Sequence, residues 1–281
     1  MEAVSAVKMR KSQERALGGR AYAAGALRVL NHLTQGVETA SHELFTKREE
    51  GALGIVIVTS DKGLAGALNS AVLKRVEAFL RDPQYKRREK VFVCIGRRGH
   101  EFVLNRSLRV VHYEENKSDT VTEEEMARVT HHILKAHETR TTASWHIAYT
   151  NFKSTFEQIA TMAQLLPLEK ETLTKIIDGI VPEAGKYADD AQADKDFAYT
   201  IEPSAEDILD AIIPNLVNIY VYHALLETKA SEHSARMVAM KNATDKAGEL
   251  AHDLMLKFNK ARQAVITREV SEITSGVEAM K

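Results

Sequence analysis

Between Pro214 and Met280 the chain has no further proline and only two glycines, Gly248 and Gly276. Nothing in that run firmly stops a helix. Met237, Met240, Thr244, Ala247, Ala251, Leu254, Phe258, Ala261 and Val265 alternate steps of three and four. Such a row, sustained over four repeats, predicts a left-handed coiled-coil seam, and its alanines let a partner helix approach closely. At ~1.5 Å per residue the helix would extend roughly 100 Å. A globule of this chain length is only about 50 Å across, so the helix is expected to leave it and to need a partner. The alternative is a helix broken into a globular bundle. Pro214 either kinks the helix or opens a new segment, and Ser204 is a plausible N-cap.

The first residues supply the nearest partner. Residues 1–47 contain no proline, and Leu27, Leu30, Leu33, Val37, Ala40 and Leu44 recur at helical spacing. Gly18-Gly19 weakens that helix locally, by roughly 1 kcal/mol per glycine relative to alanine. A long intervening domain permits antiparallel pairing of the two ends. The middle reads differently. Leu53–Val58 is an apolar, β-branched run beside glycine, as in a buried strand. Residues 91–95, 109–113, 145–152 and 197–201 are further strand candidates, with helical stretches between them, notably Glu123–His137. Alternation of this kind predicts an α/β layer with at least a partly parallel sheet. The expected architecture is α+β, or α/β in its centre. A long antiparallel two-helix coiled coil from the N- and C-terminal segments carries a central α/β domain with a mostly parallel sheet. The expected boundaries are 1–47, 48–203 and 204–281, with 169–196 an irregular acidic excursion.

Composition narrows the function. There are 38 Lys and Arg against 39 Asp and Glu, which argues against a general nucleic-acid binder. The single cysteine, Cys94, allows no internal disulfide, points to a reducing compartment and reads as a small buried residue. No apolar stretch is long enough to span a membrane, and the first residues lack a signal-peptide layout.

Candidate chemistry is sparse. The GLAGALN turn at residues 63–69 carries neither GxGxxG nor GxxxxGK[ST] and suits tight strand–helix packing. Asp61 and Lys62 read as a helix cap and a surface lysine. His131, His132 and His137 are separated by one, five and six positions, whereas a metal-binding helix favours three or four. Ser231-Glu232-His233 is no triad, because adjacent helical residues do not face one another. No catalytic, cofactor or metal site is expected.

Longer motifs carry a resemblance. KASEHSARMVAMKNATDKAGEL, continuing into FNKARQAVITREVSEITSG, resembles the gamma subunit of the F-type ATP synthase. VKMRKSQER, TSDKGLAGALN, FEQIATMAQLLPL and YTIEPSAEDILDAIIP match further segments of that family in order, over nearly the whole chain. TSDKGLAGALN departs from the usual SSDRGLCGGLN. Members of the family begin further upstream with a basic helical segment. Met1 here falls on a normally internal methionine, as a late start or a truncation would give. Residues 169–196 look longer than the usual connection.

The resemblance implies a rotor, with the nucleotide chemistry on beta. Its coiled coil would stand in the ring of alpha and beta subunits, one copy per three beta. Its α/β domain would bind the epsilon subunit and the membrane ring of c subunits, and proton flow would turn it to drive ATP synthesis. That places it peripherally on the cytoplasmic face of a bacterial inner membrane, or on the matrix face in an organelle. Arg262, Gln263 and Thr267 match positions where the family contacts a beta-subunit loop. Ile266, Ile273 and Val277 are open to two readings, a tip running in an apolar sleeve of the ring or ordinary coiled-coil core. The basic face of the first helix (Lys8, Arg10, Lys11, Arg15, with Arg20 and Arg28) and the cluster Lys257, Lys260, Arg262 and Arg268 read as solvated faces from charge alone. The resemblance turns them into contact surfaces. The competing functions are a non-rotary coiled-coil scaffold with an α/β domain, and an α/β enzyme with helical arms.

Overall fold

The computed structural model describes residues 3–15, 44–116, 123–168 and 205–280. The 197–201 strand, the 169–196 excursion, Gly18-Gly19, Arg20, Arg28, the Ser204 cap and the apolar row from Leu27 to Ala40 lie outside them. The chain divides into two compact units, Met1–Met237 and Val238–Lys281.

The first unit is built on a five-stranded sheet. Strand β1 spans Ala52–Val58, β2 Lys90–Ile95, β3 Arg109–Glu114, β4 Thr142–Phe152 and β5 Gln158–Leu166. Their order is β3-β2-β1-β4-β5. The first four are mutually parallel, and β5 pairs antiparallel with β4. Helix α1 covers residues 3–15. Helix α2 is Leu68–Leu80, α3 Pro83–Lys86, α4 Arg97–Leu104, α5 Glu123–Glu138 and α6 Ala205–Ala279.

Sheet periodicity splits the core into two. Along β1, Ala52, Val56 and Val58 face one side, with Val91, Val93 and Ile95 of β2 and Trp145 and Ile147 of β4. That side is covered by Met126, Val129 and Ile133 of α5 and by Ile213, Leu216, Val217 and Val221 of α6. Leu53, Ile55 and Ile57 face the other side, with Phe92 and Cys94, under Val72 and Val76 of α2 and Phe102 and Val103 of α4. Helices on both faces explain why the parallel strands read as continuous apolar runs.

Two glycines are required by this packing. At Gly54 a Cβ would lie 2.3 Å from the Trp145 ring, which crosses its backbone. Gly96 has φ +98 and approaches Thr59, so a Cβ there would stand 2.0 Å from the Thr59 carbonyl oxygen. Trp145, fully buried, donates its ring N–H to Thr142 Oγ1 at 2.9 Å.

Of the strand readings from sequence, four are found within a few residues of their expected ends. β5 is an addition: QIATMAQLL at Gln158–Leu166 served only as a family motif. It is an edge strand of mostly half-buried residues, without the buried run that betrays β1. Pro214 sits inside α6, where its ring removes a helical donor. The neighbouring Asn215 Nδ2 bonds the Ala211 carbonyl at 3.0 Å.

Gly54→Ala is expected to destabilise the first unit by about 1–3 kcal/mol, through displacement of Trp145. Urea unfolding followed by the single tryptophan's fluorescence measures this, and an unchanged midpoint would refute the steric account.

Candidate functional site

Strand β1 ends sooner than β4. The last β1–β4 partners are Ile57 and Ala148, yet β4 continues to Phe152. Beyond Ala148 the β1-facing edge of β4 has lost its ladder partner. Two backbone donors on that overhang, the buried Thr150 N and the half-buried Phe152 N, would be left without a ladder partner, at a cost comparable to a lost hydrogen bond each. Helix α6 supplies the acceptors. Thr228 Oγ1 receives Thr150 N at 3.2 Å, and Glu227 Oε2 receives Phe152 N at 2.7 Å.

The segment that does this is unusual for a helix. Every residue from His223 to Ser234 is buried. Eight of these twelve are polar or charged: His223, Glu227, Thr228, Lys229, Ser231, Glu232, His233 and Ser234. Lys229 Nζ donates to the Asn116 carbonyl, just past β3, at 2.7 Å. Asn116 Nδ2 in turn donates to the Thr59 carbonyl, just past β1, at 2.7 Å. Ser234 Oγ donates to the carbonyl of Thr155, in the β4–β5 hairpin, at 2.7 Å. Arg236 pairs with Glu232 Oε1 at 2.6 Å and reaches the Gly63 carbonyl at 3.4 Å. One turn of β1, one of β3 and the β4–β5 hairpin are thus tied to three turns of a single helix.

Position gives these bonds their meaning. Chain order reverses between β1 and β4, and the carboxyl ends of the strands at such a point form the crevice where doubly wound sheets bind ligands. Here that crevice is occupied by α6. The neighbouring α4 N-terminus, an anion site in many folds, is taken by Asp61, whose Oδ1 accepts the Arg97 backbone N–H at 2.6 Å. Asp61 is a cap, as its sequence context suggests, but of α4 and not of the nearer α2. Lys62 is exposed.

Burial also shifts acidities. Tyr149 of β4 and Tyr220 of α6 meet edge to face, ring centroids 6.4 Å apart. Burial, with the Glu227 charge adding to it, pushes the Tyr149 hydroxyl up to about 12. Burial and then Tyr149 raise Tyr220 as well. Cys94 is buried and pushed up to about 12 by desolvation, which leaves its thiol protonated and inert.

The other sequence candidates are placed as follows. His131, His132 and His137 do not converge. His132 stacks on His112 of β3 at 4.4 Å and is lowered first by burial, then by His112, His131 and Lys135. His137 is fully buried. No group of His, Cys, Asp and Glu among the described residues is arranged to hold a metal. In α1, Arg10 and Lys11 are exposed, Lys8 and Arg15 half-buried, and Arg10 pairs with Glu14 at 3.1 Å. Ser5 and Ser12, seven apart, are its buried positions.

Met237 closes the first unit and is half-buried, as is Met240 at the start of the second. In the second unit Thr244, Ala247, Ala251, Leu254, Phe258, Ala261 and Val265 are exposed. Arg262, Gln263 and Thr267 are exposed too, and so are Ile266, Ile273 and Val277. Sequence reading missed the buried polar segment and one further pattern. Ile266, Val270, Ile273 and Val277, all exposed, form a new row that starts one residue after Val265. A one-residue step turns it by about 100° from the seam.

The chain matches known proteins along its length. A family model described as ATP synthase matches residues 1–280. The ATP synthase gamma chain of Variovorax paradoxus is 38% identical over 279 residues, covering 99% of this chain and 91% of that one. The ATP synthase gamma chain of Legionella pneumophila is 35% identical over 280 residues, covering 100% and 92%. Among solved structures, the central stalk and c-ring of the Tetrahymena thermophila mitochondrial ATP synthase contains a chain with TM-score 0.60 at 22% identity, covering 87% of this chain and 97% of that one.

Replacing Glu227 by alanine removes a charge-assisted bond to the half-buried Phe152 N–H and is expected to cost about 1–3 kcal/mol in urea unfolding. The tyrosine pair gives a pH signature. Unfolded tyrosine releases its proton near 10.0, whereas folded Tyr149 holds it to about 12. The folded state therefore binds more protons in that window, and stability falls as pH rises through it. Tyr149→Phe should flatten the fall of melting temperature above pH 10; an unaltered slope would exclude Tyr149 as its source.

Proposed function

We infer that the chain works as the central-stalk rotor of an ATP synthase, because it belongs to the ATP synthase gamma chain family. The observation that carries the mechanism is the twelve-residue polar segment of α6, buried on all sides and bonded to the ends of β1, β3 and β4. A rotor element must move with the domain that drives it. Hydrogen bonds to Phe152 N, Thr150 N, Asn116 O, Thr155 O and Gly63 O hold the helix against both sliding and turning. A purely apolar contact resists neither so specifically, since hydrophobic attraction is non-directional.

The remaining roles follow from the family. The α/β domain meets the epsilon subunit and the ring of c subunits. The C-terminal helix, paired with the N-terminal one along Met237, Met240, Ala247, Ala251, Leu254, Phe258, Ala261 and Val265, stands within the alpha and beta subunits as one copy per three beta. ATP chemistry stays on beta, and this chain is a non-catalytic subunit. No helix among the described residues is long and apolar enough to cross a membrane. The fitting location is peripheral, on the cytoplasmic face of a bacterial inner membrane or the matrix face of an organelle.

Coupling needs contacts that differ in free energy between the states of each beta subunit. It also needs them weak enough to slide. Exposed polar and charged contacts, about 0–1 kcal/mol each, meet that need, and Arg262, Gln263 and Thr267 are the residues assigned to it. The phase step at Ile266 bears on the tip. A single partner helix cannot follow both the seam and a row turned by about 100° from it. Ile266, Ile273 and Val277 are therefore assigned to an apolar sleeve of the ring rather than to the seam. Lys8, Arg10, Lys11 and Arg15 present charge to the same head.

Co-expression with alpha and beta subunits tests the reading. The chain should co-purify at one copy per three beta and be required for coupled synthesis. Three copies per ring would rule out a rotor and favour a scaffold. Within an assembled complex, Arg262→Ala with Gln263→Ala should lower proton-driven ATP synthesis at least threefold and leave assembly intact. A rate equal to that of the unsubstituted complex would remove both from the coupling contact.

A further inference from the structure

The buried polar segment of α6 clamps the carboxyl ends of the parallel strands. The opposite end of the same sheet carries a second feature that the clamp does not use. Residues 81–90, which connect α2 to β2, contain Arg81, Lys86, Arg87, Arg88 and Lys90 against Asp82 and Glu89. Arg106 and Arg109, at the start of β3, join them. Arg106 shares Glu77 with Arg81, at 3.5 and 3.0 Å, and Arg109 pairs with Glu89 at 3.2 Å. One carboxylate thus serves two guanidiniums. Lys86, Arg87 and Arg88 take part in none of the ion pairs found among the described residues, and Lys86 and Arg87 are exposed. The local excess is positive although the whole chain has a net charge of −1.

The turn that presents these cations is held in place. Asp82 Oδ1 accepts the Gln84 N–H at 3.0 Å and Pro83 opens α3, which gives that short helix a defined start. Lys90 Nζ donates to the carbonyls of Lys86 and Arg88, at 3.1 and 2.9 Å. Its ammonium is spent on the loop, so the neighbouring side chains project from a fixed backbone. The pairs with Glu77 and Glu89 are solvent-exposed and cheap to exchange for another anion.

We propose that this cationic end, centred on Lys86, Arg87 and Arg88, docks against the anionic phospholipid headgroups of a bilayer. Charge complementarity supplies the attraction, which is additive over exposed Lys and Arg near such a surface. A folded protein partner is less suited. The patch exposes charged residues and not the aromatic anchors that concentrate binding energy in protein interfaces. Single-stranded nucleic acid would need an exposed ring for base stacking. The only aromatic in the turn, Tyr85, is half-buried with its ring 4.5 Å from that of Phe79. The inference rests on the rotor reading for one thing only, the nearness of a membrane.

The test uses the full-length chain and sedimentation with phospholipid vesicles. Binding is expected to vesicles rich in phosphatidylglycerol and not to pure phosphatidylcholine, and to weaken as salt rises. Lys86→Glu with Arg87→Glu and Arg88→Glu should reduce it by about fivefold or more for each residue changed. The neutral set, Lys86→Gln with Arg87→Gln and Arg88→Gln, should give a smaller loss and remains informative should the reversal impair folding. An equal reversal elsewhere, at Lys257, Lys260 and Arg268, should leave binding within about twofold, since those residues lie outside the patch. The proposal is overturned by absence of binding, by equal binding to phosphatidylcholine, by an equal loss in the distant variant, or by full displacement with inorganic phosphate or single-stranded RNA at an ionic strength where sodium chloride leaves binding intact. Co-purification with alpha and beta is read separately, so failure of vesicle binding leaves the rotor assignment standing.

Discussion

An overhanging strand organises the first unit. β4 outruns β1 from Thr150 to Phe152, and the donors left over must find acceptors or the overhang could not be buried. Side chains of α6 meet that demand. The consequence runs both ways. The sheet end is completed only when the helix is present, and the helix finds only one register in which Glu227, Thr228, Lys229, Ser234 and Arg236 all have partners. A shift by one residue turns each of them by about 100° away from its bond. Buried polar groups of this kind add less to stability than an apolar equivalent would, but a wrong register leaves them unpaired, which is costly.

The same completion closes the crevice at which doubly wound sheets bind ligands. That switch-point crevice is filled by the protein's own chain, and the nearest helix N-terminus is neutralised by Asp61. The side chains of α6 bond the strand ends and loops around that crevice. Lys229 links α6 to the ends of β3 and β1 through Asn116.

Much of this was legible in the residues. β1 is readable because both its faces are buried, which forces a continuous apolar run. The long helix is readable because no proline follows Pro214 and only Gly248 and Gly276 interrupt the run. β5 was harder, since a half-buried edge strand needs neither strict alternation nor a β-branched run, and QIATMAQLL has neither. The clamp escaped notice because its signal is negative. Leu225-Leu226 is followed by ETKASEHS, in which the apolar row lapses for two turns before the seam begins at Met237. A long helix whose apolar face fails over a polar stretch is either solvated there or surrounded by polar partners, and sequence alone does not distinguish the two. The partners here, Asn116, Thr150, Phe152 and Thr155, lie 75 to 113 positions from the α6 residues that bond them, and each contributes a backbone atom. Backbone atoms leave no residue-type signature.

The phase step at Ile266 shows the same economy of information in the second unit. A heptad row drifts only about 20° per repeat against an ideal helix, so drift alone cannot turn it by a third of a circle between Val265 and Ile266. Under the proposed function the step marks a change of surroundings, with one neighbour along the seam and another beyond it. Arg262, Gln263 and Thr267 fall at that step, on the surfaces flanking the handover between the two rows. Under the proposed rotor reading, polar residues at such a step lie where neither row buries them, and weak, exchangeable contacts there are compatible with rotation.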